Sequence, residues 1–198
     1  MLIVDHISKA YAGGPPVVAD YTFEVADGEF FTVVGPSGAG KTTALRCLSG
    51  LMPVSSGSII FDDVPVTRPL REIAVVFQDY ARSLFPWYSV ARNVELPLRA
   101  SGVGRAEARA RVLEALDSVG LAGDAGKHPW QLSGGMQQRV AIARAIAYRP
   151  RLLIMDEPFA SVDAQTRADL EDLLLRVRQE TRMTVLFVTH DVDEAVYL

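Results

Sequence analysis

Residues 30–43 read "FFTVVGPSGAGKTT", and this stretch decides the fold. The apolar run Phe30–Val34 is typical of a strand that is buried on both faces. Segment 35–42 then matches the pattern G-x-x-x-x-G-K-[ST]. Its three glycines let the backbone turn its N–H groups inward around an anion, and a following helix adds the positive end of its dipole. The stretch therefore predicts a loop between a strand and a helix that binds the phosphates of a nucleotide.

Several other segments are typical of short strands, and polar residues follow where they end. Residues 17–25 alternate as in a half-buried strand, and further apolar runs are "GSIIFD", "EIAVVF", "RLLIMD" and "TVLFVT". Three of these runs end on or beside Gln78, Asp156 and Thr189. In open α/β sheets the ligand lies at the carboxyl ends of the strands. The pattern predicts one site shared by these strand ends and the phosphate-binding loop.

Length and composition narrow the class of protein. The 198 residues fit one domain, and 49% hydrophobic residues suffice for a sizeable core. The net charge of −4, with both signs interspersed, argues against a nucleic-acid-binding protein. A single cysteine, Cys47, excludes an internal disulfide and fits a reducing compartment. With no signal peptide and no apolar run of membrane-spanning length, we expect a cytosolic protein that meets membranes through a partner.

The middle of the chain changes from strand patterns to helix patterns. Residues 105–119 are rich in helix formers, and we expect Val112, Leu113, Leu116 and Val119 to share one face. The sequence therefore predicts an α/β core formed by 1–78 and 150–198, with a helical subdomain inserted at 79–149.

The end of the chain predicts one more helix. Asp191 and Glu194 have the spacing of a capping box, with Asp191 as the cap. The chain stops at Leu198, shortly after that helix begins, so we expect a C-terminally truncated protein.

Four polar side chains could carry out chemistry on a bound nucleotide. Lys41 is placed to reach the outer phosphates, and the Thr42 hydroxyl can ligate Mg²⁺. The strand in "LLIMDEP" delivers Asp156 to the metal and sets Glu157 beside it. A carboxylate next to the terminal phosphate can polarise an attacking water, which contributes roughly 10²- to 10⁴-fold in rate. A solvated acidic pair at a strand end is the alternative.

Two more polar residues end strands near the predicted site. Gln78 can offer an oxygen to Mg²⁺ or hold the water, and His190 can donate to the terminal phosphate. Either residue alone would more often be structural. Their joint position at strand ends favours a role in the site.

A second anion site lies at Ser133, Gly134 and Gly135, where the helical run "GGMQQRVAIARAIA" begins. Free N–H groups and the helix dipole favour an anion there. One nucleotide needs only one phosphate-binding loop, so the second site is expected to serve a neighbouring subunit. A head-to-tail twofold dimer, the commonest symmetric assembly, meets that need.

Taken together, these motifs identify a family. "GPSGAGKTT", Gln78, "LSGGMQQR", "LLIMDEP", "SVDAQTR" and His190 stand in the order found in ATP-binding cassette (ABC) ATPases. The chain resembles that family over nearly its whole length, from Ile3 to Leu198. Two departures, Met136 in the signature and Val162 in the D-loop, leave the spacing intact.

The resemblance implies roles for particular residues. Tyr11 would stack on adenine, Gln78 would be the Q-loop, Ser133–Gly135 the signature acting in trans, Asp163 the D-loop acid and His190 the switch histidine. It implies Glu157, His190 and Gln78 as catalytic residues and Thr42, Gln78 and Asp156 as Mg²⁺ ligands. The expected ATP contacts in the phosphate-binding loop are Gly35, Pro36, Ser37, Gly38, Ala39, Gly40, Lys41, Thr42 and Thr43.

Within the family the chain looks most like importers of nitrate, sulfonate, taurine and bicarbonate. This implies a second ATPase subunit, membrane permease subunits that contact the helical subdomain, an indirect link to a solute-binding protein, and a place on the inner face of the cell membrane. Phe85, Trp87 and Tyr88 fall in the expected permease-contacting region, although they could instead pack the subdomain core.

Two other functions compete with the importer ATPase. One is a soluble cassette ATPase of DNA repair or translation, and the other is a small-molecule kinase with a phosphate-binding loop. Cys47 is expected to pack in the core, and His6 and His128 are expected to be structural or surface residues.

Overall fold

The computed structural model describes residues 1–79, 83–160 and 162–198. In chain order, its strands are β1 (Leu2–Ala10), β2 (Pro16–Val25), β3 (Phe30–Val34), β4 (Ser56–Phe61), β5 (Val64–Pro65), β6 (Ile73–Val76), β7 (Leu152–Asp156) and β8 (Thr184–Thr189). Its helices are α1 (Lys41–Leu48), α2 (Val90–Ala100), α3 (Arg105–Ser118), α4 (Gly134–Ala147), α5 (Ala164–Thr181) and α6 (Val192–Tyr197), with 3-10 turns at Ala122–Asp124 and Pro129–Gln131.

The strands form two sheets, as the α/β fold class predicts. One has the order β2-β1-β4-β5, and its pairs are antiparallel. The other has the order β3-β8-β7-β6, and β8 runs parallel to both β3 and β7. The predicted N-terminal antiparallel portion and parallel core sheet are therefore confirmed.

Burial along the second sheet corrects one expectation. We predict β3 to be buried on both faces, but its side chains are only half-buried and Val34 is 44% exposed. In the described residues β3 is an edge strand with β8 as its one neighbour. The fully buried strands are β7 and β8, the two inner strands of this sheet.

Helix α1 is anchored in the core below the phosphate-binding loop. Ala44, Leu45, Cys47 and Leu48 are buried against strands of both sheets. Cys47 is therefore a packing residue, as expected, and burial raises the pKa of its thiol. The anchored helix gives the loop that precedes it a fixed support.

The chain separates into two compact units. The first contains 1–75, 151–157 and 181–198, and the second contains 76–150 and 158–180. The second unit holds α2, α3 and α4, which pack on one another, and nearly all of α5. The division into a core and a subdomain inserted at 79–149 stays a prediction.

Helix α3 corrects the predicted apolar face. Val112, Leu116 and Val119 are buried as expected, but Leu113 is 51% exposed. Adjacent residues lie about 100° apart on a helix of 3.6 residues per turn, so Leu113 turns away from Val112. Ala108 and Ala115 complete the buried face instead.

Helix α6 begins where the capping pattern places it. The Asp191 carboxylate accepts hydrogen bonds from the backbone N–H groups of Asp193 at 2.9 Å and Glu194 at 3.4 Å. The Glu194 carboxylate is buried and accepts the Thr189 hydroxyl, which ties α6 to the end of β8. Across the three described segments, the helices lack the combination of length and apolar character that crossing a bilayer requires.

Candidate active site

The phosphate-binding loop joins β3 to α1, as predicted. Its last residue, Gly40, caps α1 with a φ of 83°, in the left-handed region. A Cβ atom at Gly40 would lie 2.4 Å from the Val17 carbonyl oxygen, so only glycine fits there. The loop's first N–H, from Gly35, donates to the Thr189 carbonyl at 3.3 Å. This bond brings the loop beside the end of β8, where His190 follows.

Lys41 is held at the mouth of this loop. Its ammonium donates to the carbonyl oxygens of Gly35 at 2.5 Å and Pro36 at 2.9 Å. The same nitrogen lies 3.1 Å from Glu157 Oε1, and both side chains are largely buried. Charge interactions are stronger in such a site than in water. A phosphate oxygen that reaches Lys41 therefore meets a positioned cation with a carboxylate directly beside it.

Glu157 also contacts His190. The distance from His190 Nδ1 to Glu157 Oε2 is 3.0 Å. Glu157 has a φ of 42°, and its N–H donates to the Val188 carbonyl at 2.8 Å. A non-glycine residue in the left-handed region costs roughly 1–2 kcal/mol, and such strain concentrates at functional sites. Lys41, Glu157 and His190, which are distant in sequence, thus form one connected group as the strand-end pattern predicts.

Asp156, which ends β7, is suited to hold a cation. Asp156 is only 3% exposed, and within the described part of the chain its Oδ1 has no hydrogen-bond partner. Burial raises the pKa of its carboxyl, an effect that a hydrogen bond with Thr42 opposes. An orphaned carboxylate oxygen beside a threonine hydroxyl fits a hard divalent cation such as Mg²⁺, which prefers oxygen ligands.

Tyr11 offers an aromatic surface in the same unit. Tyr11 is 45% exposed, and its hydroxyl lies 3.3 Å from Thr43 Oγ1 and 3.4 Å from Met52 Sδ. Because Thr43 belongs to α1, the ring is tied to the helix that follows the phosphate-binding loop. An exposed, fixed ring of this kind can stack on a planar base.

The second anion site has the predicted local geometry. Ser133 caps α4, and its hydroxyl accepts the Met136 N–H at 3.3 Å. Gly134 and Gly135 form the first residues of the helix. The helix N-terminus is therefore confirmed, whereas its action on a neighbouring subunit's nucleotide stays a prediction.

Asp163 accepts two hydrogen bonds at the start of α5. Its carboxylate accepts the Thr166 N–H at 3.0 Å and the Thr166 hydroxyl at 2.7 Å. These two bonds hold the pKa of the Asp163 carboxyl below its ordinary value. Its expected contribution to the nucleotide site stays a prediction, as does that of Gln78, which also belongs to the second unit.

An aromatic cluster, Phe85, Trp87 and Tyr88, precedes α2. Its ring centroids lie 5.5 to 6.2 Å apart, and the Arg92 guanidinium lies 4.8 Å from the Tyr88 centroid. Phe85 and Tyr88 are half-buried, but Trp87 is 65% exposed. The alternative that these residues only fill the core is therefore wrong for Trp87.

Asn93 holds this aromatic cluster in place. Its fully buried amide accepts the Phe85 N–H and donates to the carbonyls of Phe85, Tyr88 and Ser89, all between 2.8 and 3.2 Å. The sequence pattern did not single out Asn93, because an asparagine within a helix carries no signal of its tertiary partners.

We expect Asn93→Ala to lower the free energy of unfolding by about 1–3 kcal/mol, because buried backbone groups lose their partners. The loosened segment should also free the Trp87 ring. In a Trp130→Phe background Trp87 is the remaining tryptophan of the two in the chain, so its fluorescence anisotropy measures this motion. Ser118→Ala, which removes one local hydroxyl bond at the end of α3, is the control and should leave that anisotropy unchanged. Unchanged anisotropy in Asn93→Ala as well would contradict the assignment.

Sequence reasoning also missed an exposed stack just before the second anion site. The rings of His128 and Trp130 lie 4.5 Å apart, and Trp130 is 66% exposed. The motif "HPWQ" directly before Leu132 was the available signal. His6, as expected, is a surface residue, and it pairs with Asp20 at 2.6 Å.

Comparison with known proteins agrees with the predicted family. The ABC transporter family model matches residues 18–160. The taurine import ATP-binding protein TauB of Yersinia pestis bv. Antiqua (strain Antiqua) is 46% identical over 198 residues, which are 100% of this chain and 76% of that protein. A putative ATP-binding protein of Brucella abortus biovar 1 (strain 9-941) is 50% identical over 186 residues, or 94% of this chain and 71% of that protein.

Solved structures agree as well. A dimeric, post-hydrolysis state of the ATP-binding cassette MJ0796 bound to ADP and Pi has a TM-score of 0.87 at 32% identity, covering 100% of this chain and 91% of that one. CbiO1 of Clostridium perfringens, part of the ABC transporter complex cbiONQ, has a TM-score of 0.90 at 30% identity, covering 99% and 81%. The chain therefore belongs to the ABC transporter family and is an ATP-binding cassette ATPase.

Proposed function

We propose that this ATPase drives solute uptake as the energy-coupling subunit of an importer, and that it works as a head-to-tail dimer. The observation that carries the hydrolytic part is the connected group of Lys41, Glu157 and His190 beside the phosphate-binding loop. Cation, carboxylate and imidazole there adjoin the N–H groups that bind phosphate.

The chemistry assigns one step to each residue. Loop N–H groups and Lys41 bind the β- and γ-phosphates. Glu157 accepts a proton from a water as the water oxygen bonds to the γ-phosphorus and the bond to the β,γ-bridging oxygen breaks, which leaves ADP and inorganic phosphate. His190 holds the Glu157 carboxylate in position and donates to the γ-phosphate.

Thr42, Asp156 and Gln78 are the proposed ligands of Mg²⁺. The hydroxyl of Thr42 and the buried Oδ1 of Asp156 supply hard oxygens on the first unit. When bound, the ion would offset the negative charge of the phosphate oxygens. The hydrogen bond with Thr42 holds the Asp156 carboxylate in position.

The nucleotide is proposed to be closed by a second copy. Ser133, Gly134 and Gly135 present a helix N-terminus, which suits the γ-phosphate of a neighbour's ATP. Asp163 would lie at the same contact between the two copies. The dimeric MJ0796 cassette supports this arrangement for a protein of similar fold. Tyr11 would stack on the adenine of the chain's own ATP.

The transport assignment rests on the relatives and on the aromatic cluster. TauB relatives are named as taurine import proteins, which supports uptake of a taurine-, sulfonate- or nitrate-type anion. The exposed Trp87, which belongs to the aromatic cluster whose backbone Asn93 binds, is the proposed contact with a membrane permease. The chain would then work on the inner face of the membrane, served by a solute-binding protein on the other side.

Affinity capture from cells tests the importer assignment. We expect the tagged protein to retain an integral membrane subunit in detergent, and Trp87→Ala to lose most of it. Leu113→Ala, which removes another exposed apolar side chain of the same unit, is the control and should retain the subunit. Recovery of nucleic acid without a membrane protein would overturn the assignment and favour the soluble DNA-repair or translation class.

A further inference from the structure

Gly135 at the start of α4 lies against Thr166 in the first turn of α5. A Cβ atom at Gly135 would lie 2.8 Å from Thr166 Cγ2, closer than carbon atoms pack, and 3.7 Å from Thr166 Oγ1. Both residues belong to the second unit. The φ of Gly135 lies outside the left-handed region, so backbone conformation does not require glycine here. The requirement comes from the Thr166 methyl group.

Thr166 cannot simply turn this methyl away. Its hydroxyl donates to Asp163 at 2.7 Å, and its N–H donates to the same carboxylate at 3.0 Å. The methyl and the hydroxyl share one Cβ, so a rotation about χ1 that clears space for a side chain at 135 also moves the hydroxyl off Asp163. One rotamer of Thr166 therefore sets both the hydrogen bonds to Asp163 at the start of α5 and the packing of Gly135 at the start of α4.

We propose that Thr166 is a positioning residue that fixes the signature, Ser133–Gly135, relative to the D-loop acid, Asp163. Its methyl is the surface on which the first turn of α4 rests, and its hydroxyl holds the Asp163 carboxylate. The two elements are thereby presented to the partner copy as one rigid surface. This inference rests on the proposed function, in which both elements act on the nucleotide of the other subunit.

A double-mutant cycle tests the contact. Gly135→Ala is expected to lower the ATPase rate at least about tenfold, because the added methyl displaces α4 or rotates Thr166. Thr166→Ser keeps the hydroxyl bond to Asp163 but removes the methyl, so this variant alone should lose some ATPase activity because α4 loses its support. An alanine methyl at position 135 can then fill the space that the Thr166 methyl leaves. In the Thr166→Ser background, Gly135→Ala should therefore cost no more than about threefold. ATP-dependent dimerisation, measured in the Glu157→Gln background, should likewise be weakened more by Gly135→Ala alone than by Gly135→Ala in the presence of Thr166→Ser.

Two further measurements separate the possible failures. ATP affinity of dilute single chains depends on the phosphate-binding loop, so it should be the same in the unaltered protein and in all three variants of the cycle. If Gly135→Ala does not fold, the double variant must restore both the melting transition and the activity. Equal losses in both backgrounds, or a double variant that stays unfolded, would overturn the inference.

Ser133→Arg distinguishes a failure of the positioning role of Thr166 from a failure of the proposed function. That substitution replaces the capping hydroxyl of α4 with a bulky cation and leaves the side chains of Gly135 and Thr166 unaltered. If Ser133→Arg is inactive while the cycle shows no rescue, only the positioning role is overturned. If Ser133→Arg and Gly135→Ala both hydrolyse ATP at the normal rate, the signature does not act on the nucleotide, and both proposals are overturned.

Discussion

Glu157→Gln is expected to bind ATP but to hydrolyse it roughly 10²- to 10⁴-fold more slowly than the unaltered protein. The amide has nearly the same shape as the carboxylate and can still contact His190, which lies 3.0 Å away. It cannot accept a proton from water at neutral pH. It also loses the charge interaction with Lys41, so the ammonium becomes more available to phosphate. Binding should therefore survive while the chemical step fails.

Single-turnover hydrolysis and size-exclusion chromatography with ATP measure the two consequences. The variant should elute as a dimer in ATP, because the unhydrolysed nucleotide continues to join the two copies in the proposed arrangement. Glu114→Gln is the matched control, since Glu114 is exposed and pairs with Arg149. This control variant should hydrolyse ATP at the normal rate. Hydrolysis at the normal rate in Glu157→Gln would show that Glu157 is not the base.

Much of this site follows from local sequence, because the phosphate-binding loop is a local structure. The strand before it, the glycines within it and the helix after it are contiguous, so Lys41 and the capping Gly40 are set by short-range geometry. Asp156 and His190 also follow, since the ends of parallel strands meet at one edge of a sheet. The pattern of residues is enough to predict that these ends converge.

Other features depend on contacts that no local pattern encodes. The left-handed backbone of Glu157 is visible only once its N–H is paired with Val188. Likewise, the half-burial of β3 depends on its position at the sheet edge, because an edge strand and a central strand can share the same apolar sequence. The fit between Gly135 and Thr166 joins two helices that are distant along the chain.

Action between subunits predicts that two inactive variants restore activity when mixed. Lys41→Ala removes the buried ammonium that adjoins the loop, and Ser133→Arg blocks the N-terminus of α4, which we propose faces the partner. Each variant alone has two defective sites per dimer. A mixed dimer pairs the intact loop of one chain with the intact signature of the other, which gives one complete site and one doubly defective site. Random pairing of equal amounts should restore about one quarter of the normal rate if the sites act independently.

The decisive control is a mixture that contains no complete site. Lys41→Ala combined with the Lys41→Ala/Ser133→Arg double variant has no intact loop, so it should stay inactive at every concentration. In the complementary mixture the restored rate per chain should fall on dilution, because the complete site exists only in the dimer. A complementary mixture as inactive as its components would contradict action in trans, since every residue that the chemistry needs is present in it. Restored activity that persists at high dilution would instead assign the whole reaction to single chains.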